Sequence, residues 1–216
     1  MSALNLHPGV HAAVHETDLV VLDARRGDYL CLPGAGPLVV LQAGWSSVWV
    51  KDPELAEVLE DLGLAAAGLP MSGRTPPPPA AREDLMGLGA RPSAASRLRM
   101  CASALDMLIH YAGRPFHRMA RWGRALEAPR PSSPARVAAA AADFRWMLPF
   151  VPFQGECLFR AFMLKVYLAR AGLGAALVVG VQTWPFQAHA WVQAGPMVLD
   201  DTVEHVRAFT PILTLP

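Results

Sequence analysis

The chain has 216 residues, of which 53% are hydrophobic and 17% charged, enough apolar material for one medium or two small packed domains. A formal net charge of +1, with the arginines scattered rather than striped, excludes the electrostatic footprint of a nucleic-acid binder. The first residues lack a basic stretch followed by an apolar one, and the longest apolar run, Ala171 to Val181, is broken by glycines and far short of the roughly 20 residues of a bilayer span. No targeting segment or membrane span is expected, and the location expected is cytoplasmic.

From the N-terminus, Val10 to His15, Leu19 to Leu22 and Tyr29 to Leu32 alternate in the manner of short strands, separated by polar turns at Glu16-Thr17-Asp18 and Arg25-Arg26-Gly27-Asp28. The pattern predicts a three-stranded antiparallel meander. His7, His11 and His15 are spaced by four, which suits a metal site on a helix, but here they fall on a segment that reads as a strand. No metal site is expected. Pro37 to Gln42 predicts a short helix, and Asp52-Pro53 starts a better one through Leu62, with proline at the first turn. Residues 1–70 thus form a first module.

Residues 71–95, which contain TPPPPAAR, are dense in proline, alanine and serine, a composition that favours an extended, solvated connector. The second module, 96–216, opens with helices: Ala95 to Tyr111 places Leu98, Cys101, Leu105 and Leu108 at helical spacing, and Ser133 to Leu148 starts at Ser-Pro. Pro149 and Pro152 interrupt that pattern, and a further helix is predicted from about Cys157 to Ala171, with Leu158, Phe162, Val166 and Ala169 on one face. Gly172 and Gly174 end it. Strands follow at Ala176 to Val181, His189 to Ala194 and Met197 to Asp201, the last two joined by a turn at Gly195-Pro196. The fold class is α+β.

Cys31, Cys101 and Cys157 lie far apart with no CxxC pair, so free thiols are expected rather than a disulfide framework or zinc site. Cys157 differs from the other two because its sulfur falls at a predicted helix start. Helix dipole, unspent amides and a nearby imidazolium all favour the thiolate there. His189 is the candidate base, able to return the proton to a leaving amine if an acceptor such as Asp201 holds its other nitrogen. Gln154, in the loop before the helix, is a candidate oxyanion donor beside the Cys157 amide. A lone cysteine opening an apolar helix is more often a small buried hydrophobe than a nucleophile; the joint occurrence of Cys157, His189 and Asp201 is what favours catalysis. Asp200 competes for the acid role, since adjacent strand residues face opposite sides and only one meets His189.

The segments GECLFRAFMLKVYLARAGL, VVGVQTWPFQAHAWVQAG and VLDDTVEHVRAFTPIL together resemble the B-type leader peptidases of lasso-peptide biosynthesis, over roughly residues 95–216. The resemblance implies a papain-related, transglutaminase-like cysteine peptidase domain and matches Asp201 to the catalytic acid, with Asp200 where asparagine is common. It implies no cofactor. Residues 1–70 are similar to the winged-helix-like leader-recognition elements of such pathways, a β-meander plus helices, although the segment GWSSVWVKDPE is short for the usual middle helix. A precursor's leader is then expected to add as a strand to the meander edge at Asp28, Tyr29, Leu30, Cys31 and Leu32, near helix residues Leu55, Val58 and Leu59. The connector would tether the bound leader close to the thiolate. The implied partners are the precursor peptide and an ATP-dependent macrolactam synthetase. Two alternatives are an acyl transferase, in which an amine captures the thioester, and a noncatalytic peptide-binding scaffold.

Overall fold

A computed structural model describes residues 1–42, 44, 46–68, 73–85, 87, 91–126, 133–151 and 155–216. In chain order the first part comprises β1 (Ser2–Leu6), β2 (Val10–His15), β3 (Asp18–Asp23), β4 (Asp28–Leu32), β5 (Val39–Leu41), β6 (Ser47–Val50), α1 (Pro53–Asp61) and β7 (Ala65–Ala67). Then come β8 (Glu83–Asp84), α2 (Ala94–His110), α3 (Phe116–Ala125), α4 (Pro134–Met147), α5 (Cys157–Arg170), β9 (Ala176–Gln182), β10 (Gln187–Ala194), β11 (Met197–Val198), α6 (Val203–Val206) and β12 (Thr210–Leu215).

The meander forms as expected, in the order β2-β3-β4. Helix α1 also follows the sequence signals: the Asp52 side chain accepts from the Glu54 amide and Pro53 occupies the first turn. The rest of the first module differs from expectation. Pro37 sits in a short 3-10 turn, Gly36–Leu38, after which the β-branched Val39 and Val40 extend into β5 instead of continuing a helix. β5, β6, β1 and β7 form a second, four-stranded sheet. Among the described residues the expected meander plus helices is therefore a meander, a second sheet and one helix.

Strand alternation divides the meander between two cores. Leu19 and Val21 of β3 pack into the core of the first module with Leu4, Val48, Leu55 and Leu59. Val20 and Leu22, on the opposite face, pack with Ala13 into the core built by α5, β9 and β12. Every residue of β3 is buried, consistent with its reading DLVVLD, a nearly unbroken apolar run of the kind found in strands covered on both faces. Its two terminal carboxylates are satisfied: Asp18 accepts from the Gly34 amide and the Trp184 indole, and Asp23 from the Arg25 guanidinium.

The second module wraps helices around a sheet of order β12-β9-β10-β11-β8. Helix α5 is its axis, buried from Ala161 to Leu168. The stripe that predicts α2 does not form its packed face: Leu98, Leu105 and Leu108 are exposed, as is Cys101, while Ser96, Met100, Ser103 and Met107 face inward. Small serines permit close approach to α4 and α5, and they are satisfied, Ser96 donating to Asp143 and Ser103 to the Arg99 carbonyl. The described stretch 73–85 of the connector is extended, as its prolines require, but not free in solvent. Its β8 pairs parallel to β11, Leu85 enters the core, and the Pro79 carbonyl accepts from Gln193. Proline-rich backbone lacks donors but keeps its carbonyls, which here take side-chain donors of the sheet.

Among the described residues no helix is long and apolar enough to cross a membrane.

Candidate active site

Cys157 is the first residue of α5. A helix leaves its opening amides unspent and its positive dipole end at this point, so the chain itself supplies the groups that favour a thiolate. The turn into the helix depends on Gly155, which has φ +54° and lies so close to Phe159 that an added Cβ would stand 2.6 Å from that ring's Cβ. His189 projects from β10, and Asp201 follows β11 just before α6. Nε2 of His189 is hydrogen-bonded to Oδ2 of Asp201, which leaves Nδ1 as the nitrogen available to the thiol.

The electrostatics of the three groups agree. The hydrogen bond to His189 lowers the Cys157 pKa most; burial opposes it, and the amides of Ala190 and Leu158 and the His189 charge lower it further. Burial alone would depress His189, but its hydrogen bonds to Asp201 and Cys157, with their charges, raise it to about 9. Burial would raise Asp201, yet the bond from His189, the Thr202 amide and His205 bring it down to about 2. The arrangement favours thiolate, imidazolium and carboxylate in a row.

Asp200 is turned away from this row. Its Oδ1 accepts from the Val192 amide 2.8 Å away, and burial pushes its carboxyl up to about 7. The structure thus brings Asp201, not Asp200, to His189.

His205, which no sequence motif singles out, belongs to the cluster. Its Nδ1 lies 3.0 and 2.9 Å from the two oxygens of Asp201. The signal was present as Asp201 and His205 four residues apart, a spacing that places them together across the start of α6. His189, Asp201 and His205 bring three possible metal donors within 4.8 Å of one another, but the carboxylate already serves both imidazoles. Rings of Trp191 and Phe209 stand 6.0 and 5.1 Å from His189, and Gly180, opposite His189 in the β9–β10 pairing, has no room for a Cβ beneath them.

Gln154 lies outside the described residues. Cys31 is half-buried, its thiol pushed up by burial and by Asp18, and Cys101 is exposed. His15 contacts Thr210 at 3.0 Å and His11 contacts Arg74 at 3.0 Å.

The expected leader-binding strand, β4, is an outer strand of the meander. Asp28 is exposed, Leu30 and Leu32 pack on the first core, and Tyr29 and Cys31 pack on the second. Tyr29 lies near enough to Cys157 that, after burial, the Cys157 charge helps push its hydroxyl up to about 12, and its ring stands 5.5 Å from Phe186. Of the helix candidates, Leu55 and Leu59 are buried in the core of their own module and Val58 is exposed.

A family model described as the transglutaminase-like superfamily matches residues 101–214. The microcin J25-processing protein McjB of Escherichia coli is 41% identical over 49 residues, which is 23% of this chain and 24% of that protein. No solved structure matches.

Proposed function

Since the chain belongs to the transglutaminase-like superfamily, we propose that it is a cysteine peptidase that removes the leader from a ribosomally made precursor in lasso-peptide biosynthesis. The observation that carries this reading is the row Cys157, His189, Asp201, assembled from a helix start, a strand and a loop. The similarity to a microcin J25-processing protein supports the substrate class.

In this reading residues 1–70 recognise the leader, which lies along the outer edge of β4 and so passes Tyr29 on its way to Cys157. The Cys157 thiolate attacks the carbonyl at the leader–core junction, and the oxyanion meets amides at the start of α5. The carbon–nitrogen bond breaks as the His189 imidazolium gives its proton to the departing amine. A thioester of the leader remains on Cys157. His189, now neutral, takes a proton from water, which adds to the thioester; the sulfur leaves as thiolate, and the leader departs as a carboxylic acid. Asp201 keeps the imidazole oriented and stabilises its charged form through both steps. The freed core amine passes to an ATP-dependent macrolactam synthetase.

The superfamily's name favours one other outcome, capture of the same thioester by an amine instead of water. Mass analysis of the product formed with a candidate amine separates the two. Cys157→Ala is expected to abolish cleavage, by at least about 10³-fold, while leaving affinity for the leader within a factor of about two. A Cys157→Ala chain that still cleaves the precursor would sink the assignment, and one that neither cleaves nor binds would count against a separate recognition strand.

A further inference from the structure

The meander has a second open edge, β2, on the side opposite β4. It faces a cavity of about 540 Å3 whose wall includes His11 to Val14 of β2, Val39 to Leu41 of β5 and Thr210 to Thr214 of β12. Each of these strands is the outermost of its sheet, so three rows of backbone groups end at one crevice.

Arg74, from the connector, lies across it. Its guanidinium donates to the Val10 carbonyl and to Nδ1 of His11, 3.0 Å away. A guanidinium has no acceptor, so Nδ1 of His11 is unprotonated, and His11 is neutral: burial first, then Arg74 and Arg124, hold its pKa down at about 3. Burial and the charge of Arg124 also bring Arg74 down, to about 10. Among the described residues neither Arg74 nor Arg124 is ion-paired with a carboxylate. A second cavity of about 540 Å3 shares Leu6, His11, Arg74 and Arg124 with the first and adds His117 and Arg121. Among the described residues no acidic one lines either cavity. In a chain of net charge +1 this is a local concentration of cations in which Arg74 is partly shielded from water and Arg121 and Arg124 are exposed, an arrangement that favours a ligand of opposite charge.

We propose that this crevice is a second peptide-binding site, which takes an extended acidic segment. Its carboxylates are held by the planar forks of Arg74 and Arg124, and its main chain runs along the edge of β2. No triad residue lines either cavity, so the site stands apart from the peptidase reading and does not depend on it.

The test uses the chain of residues 1–216 carrying Cys157→Ala, so that no probe is cleaved, titrated calorimetrically with an acetylated, amidated hexaglutamate peptide. Saturable binding is expected, weakened at least about tenfold by Arg124→Glu and several-fold by Arg124→Gln, and falling as salt is added. Arg124 is exposed at the end of α3, and an unchanged melting temperature shows that each variant is folded. Arg97→Glu makes the same charge change on the exposed face of α2 and is expected to alter binding less than about threefold. Three results would each overturn the proposal: no saturable binding, equal loss with Arg97→Glu and Arg124→Glu, or full displacement of the peptide by an equal concentration of inorganic phosphate, which marks a small-anion site.

Discussion

The Cys157 thiol, depressed by its bond to His189, contrasts with the Cys31 thiol, raised by burial and Asp18. Alkylation with iodoacetamide at about pH 6 is therefore expected to label Cys157 ahead of Cys31 and Cys101 by at least about tenfold; equal labelling would mean that the pair is not formed. The pH range of the pair follows from its partners. His189 has a folded value of about 9 against 6.5, so its contribution to stability is complete below the unfolded value and is lost as pH rises through about 9. Asp201, at about 2 against 3.8, contributes fully above its unfolded value and loses that contribution as pH falls toward about 2. Rapid labelling of Cys157 should accordingly fade at mildly acid pH only where the thiolate itself is protonated, and not through loss of the Asp201 charge. The two aspartates separate by substitution. Asp201→Asn should lower kcat/KM by roughly 10²–10⁴-fold, since the imidazolium loses its counter-charge. Asp200→Asn keeps an oxygen for the Val192 amide and should cost less than about tenfold; the reverse order in a steady-state assay would exchange their roles. The sequence placed cysteine, histidine and acid in order, but the choice between Asp200 and Asp201 depended on how β11 ends, and His205 became visible only when the turn into α6 brought it onto Asp201.

Two glycines set the elements that hold these side chains. Gly155 has a left-handed φ and no space for a Cβ against Phe159, so Gly155→Ala must either move that ring or displace the first turn of α5. A loss of about 1–3 kcal/mol in denaturant unfolding is expected, with a fall in kcat because the thiol moves relative to His189; a fully active, equally stable variant would show that the helix start tolerates displacement. Gly180 plays the corresponding part under Trp191 and Phe209. Helices α1, α4 and α5 were legible because each follows a local signal, Asp-Pro, Ser-Pro or the break at Pro149 and Pro152, and then shows apolar spacing. Helix α2 was legible as a helix but not in its orientation. Its exposed leucines form the more apolar stripe, and the inward face was selected by small serines that fit against α4 and α5, a choice of packing partner that one helix's pattern does not contain. Strands β1, β6 and β12 went unread because their pairing partners lie far along the chain.

At the scale of the molecule, the meander belongs to both modules. Val20, Leu22 and Tyr29 are packed on the second core, His15 meets Thr210, and the Trp184 indole donates to Asp18 at 2.7 Å. Within the connector, β8 and Leu85 are fastened to the second module. Calorimetric unfolding is therefore expected as a single transition with matching calorimetric and van't Hoff enthalpies, and cutting the chain within 71–95 should leave fragments that stay associated. Two separated transitions, or fragments that part as soluble folded species, would show that the shared core does not couple them. If a leader binds along β4, it meets an edge already fixed beside Cys157, so alignment rather than tethering by a flexible connector would bring the scissile bond to the thiolate.

The sequence by itself determined what is local and chemical: the meander's strands, the helix that begins at Cys157, the absence of cysteine pairing motifs, and the residue types needed for acyl chemistry. These follow from turn residues, periodicity and side-chain reactivity, each contained within a few positions. The tertiary structure decided which acid reaches His189, which face of α2 is covered, that β3 is buried on both sides, and that Arg74 and Arg124 meet across a crevice bordered by three sheet edges. Each of these depends on surfaces contributed by segments distant in the chain, and burial, the force that selects them, acts on area removed from water regardless of where in the sequence that area originates.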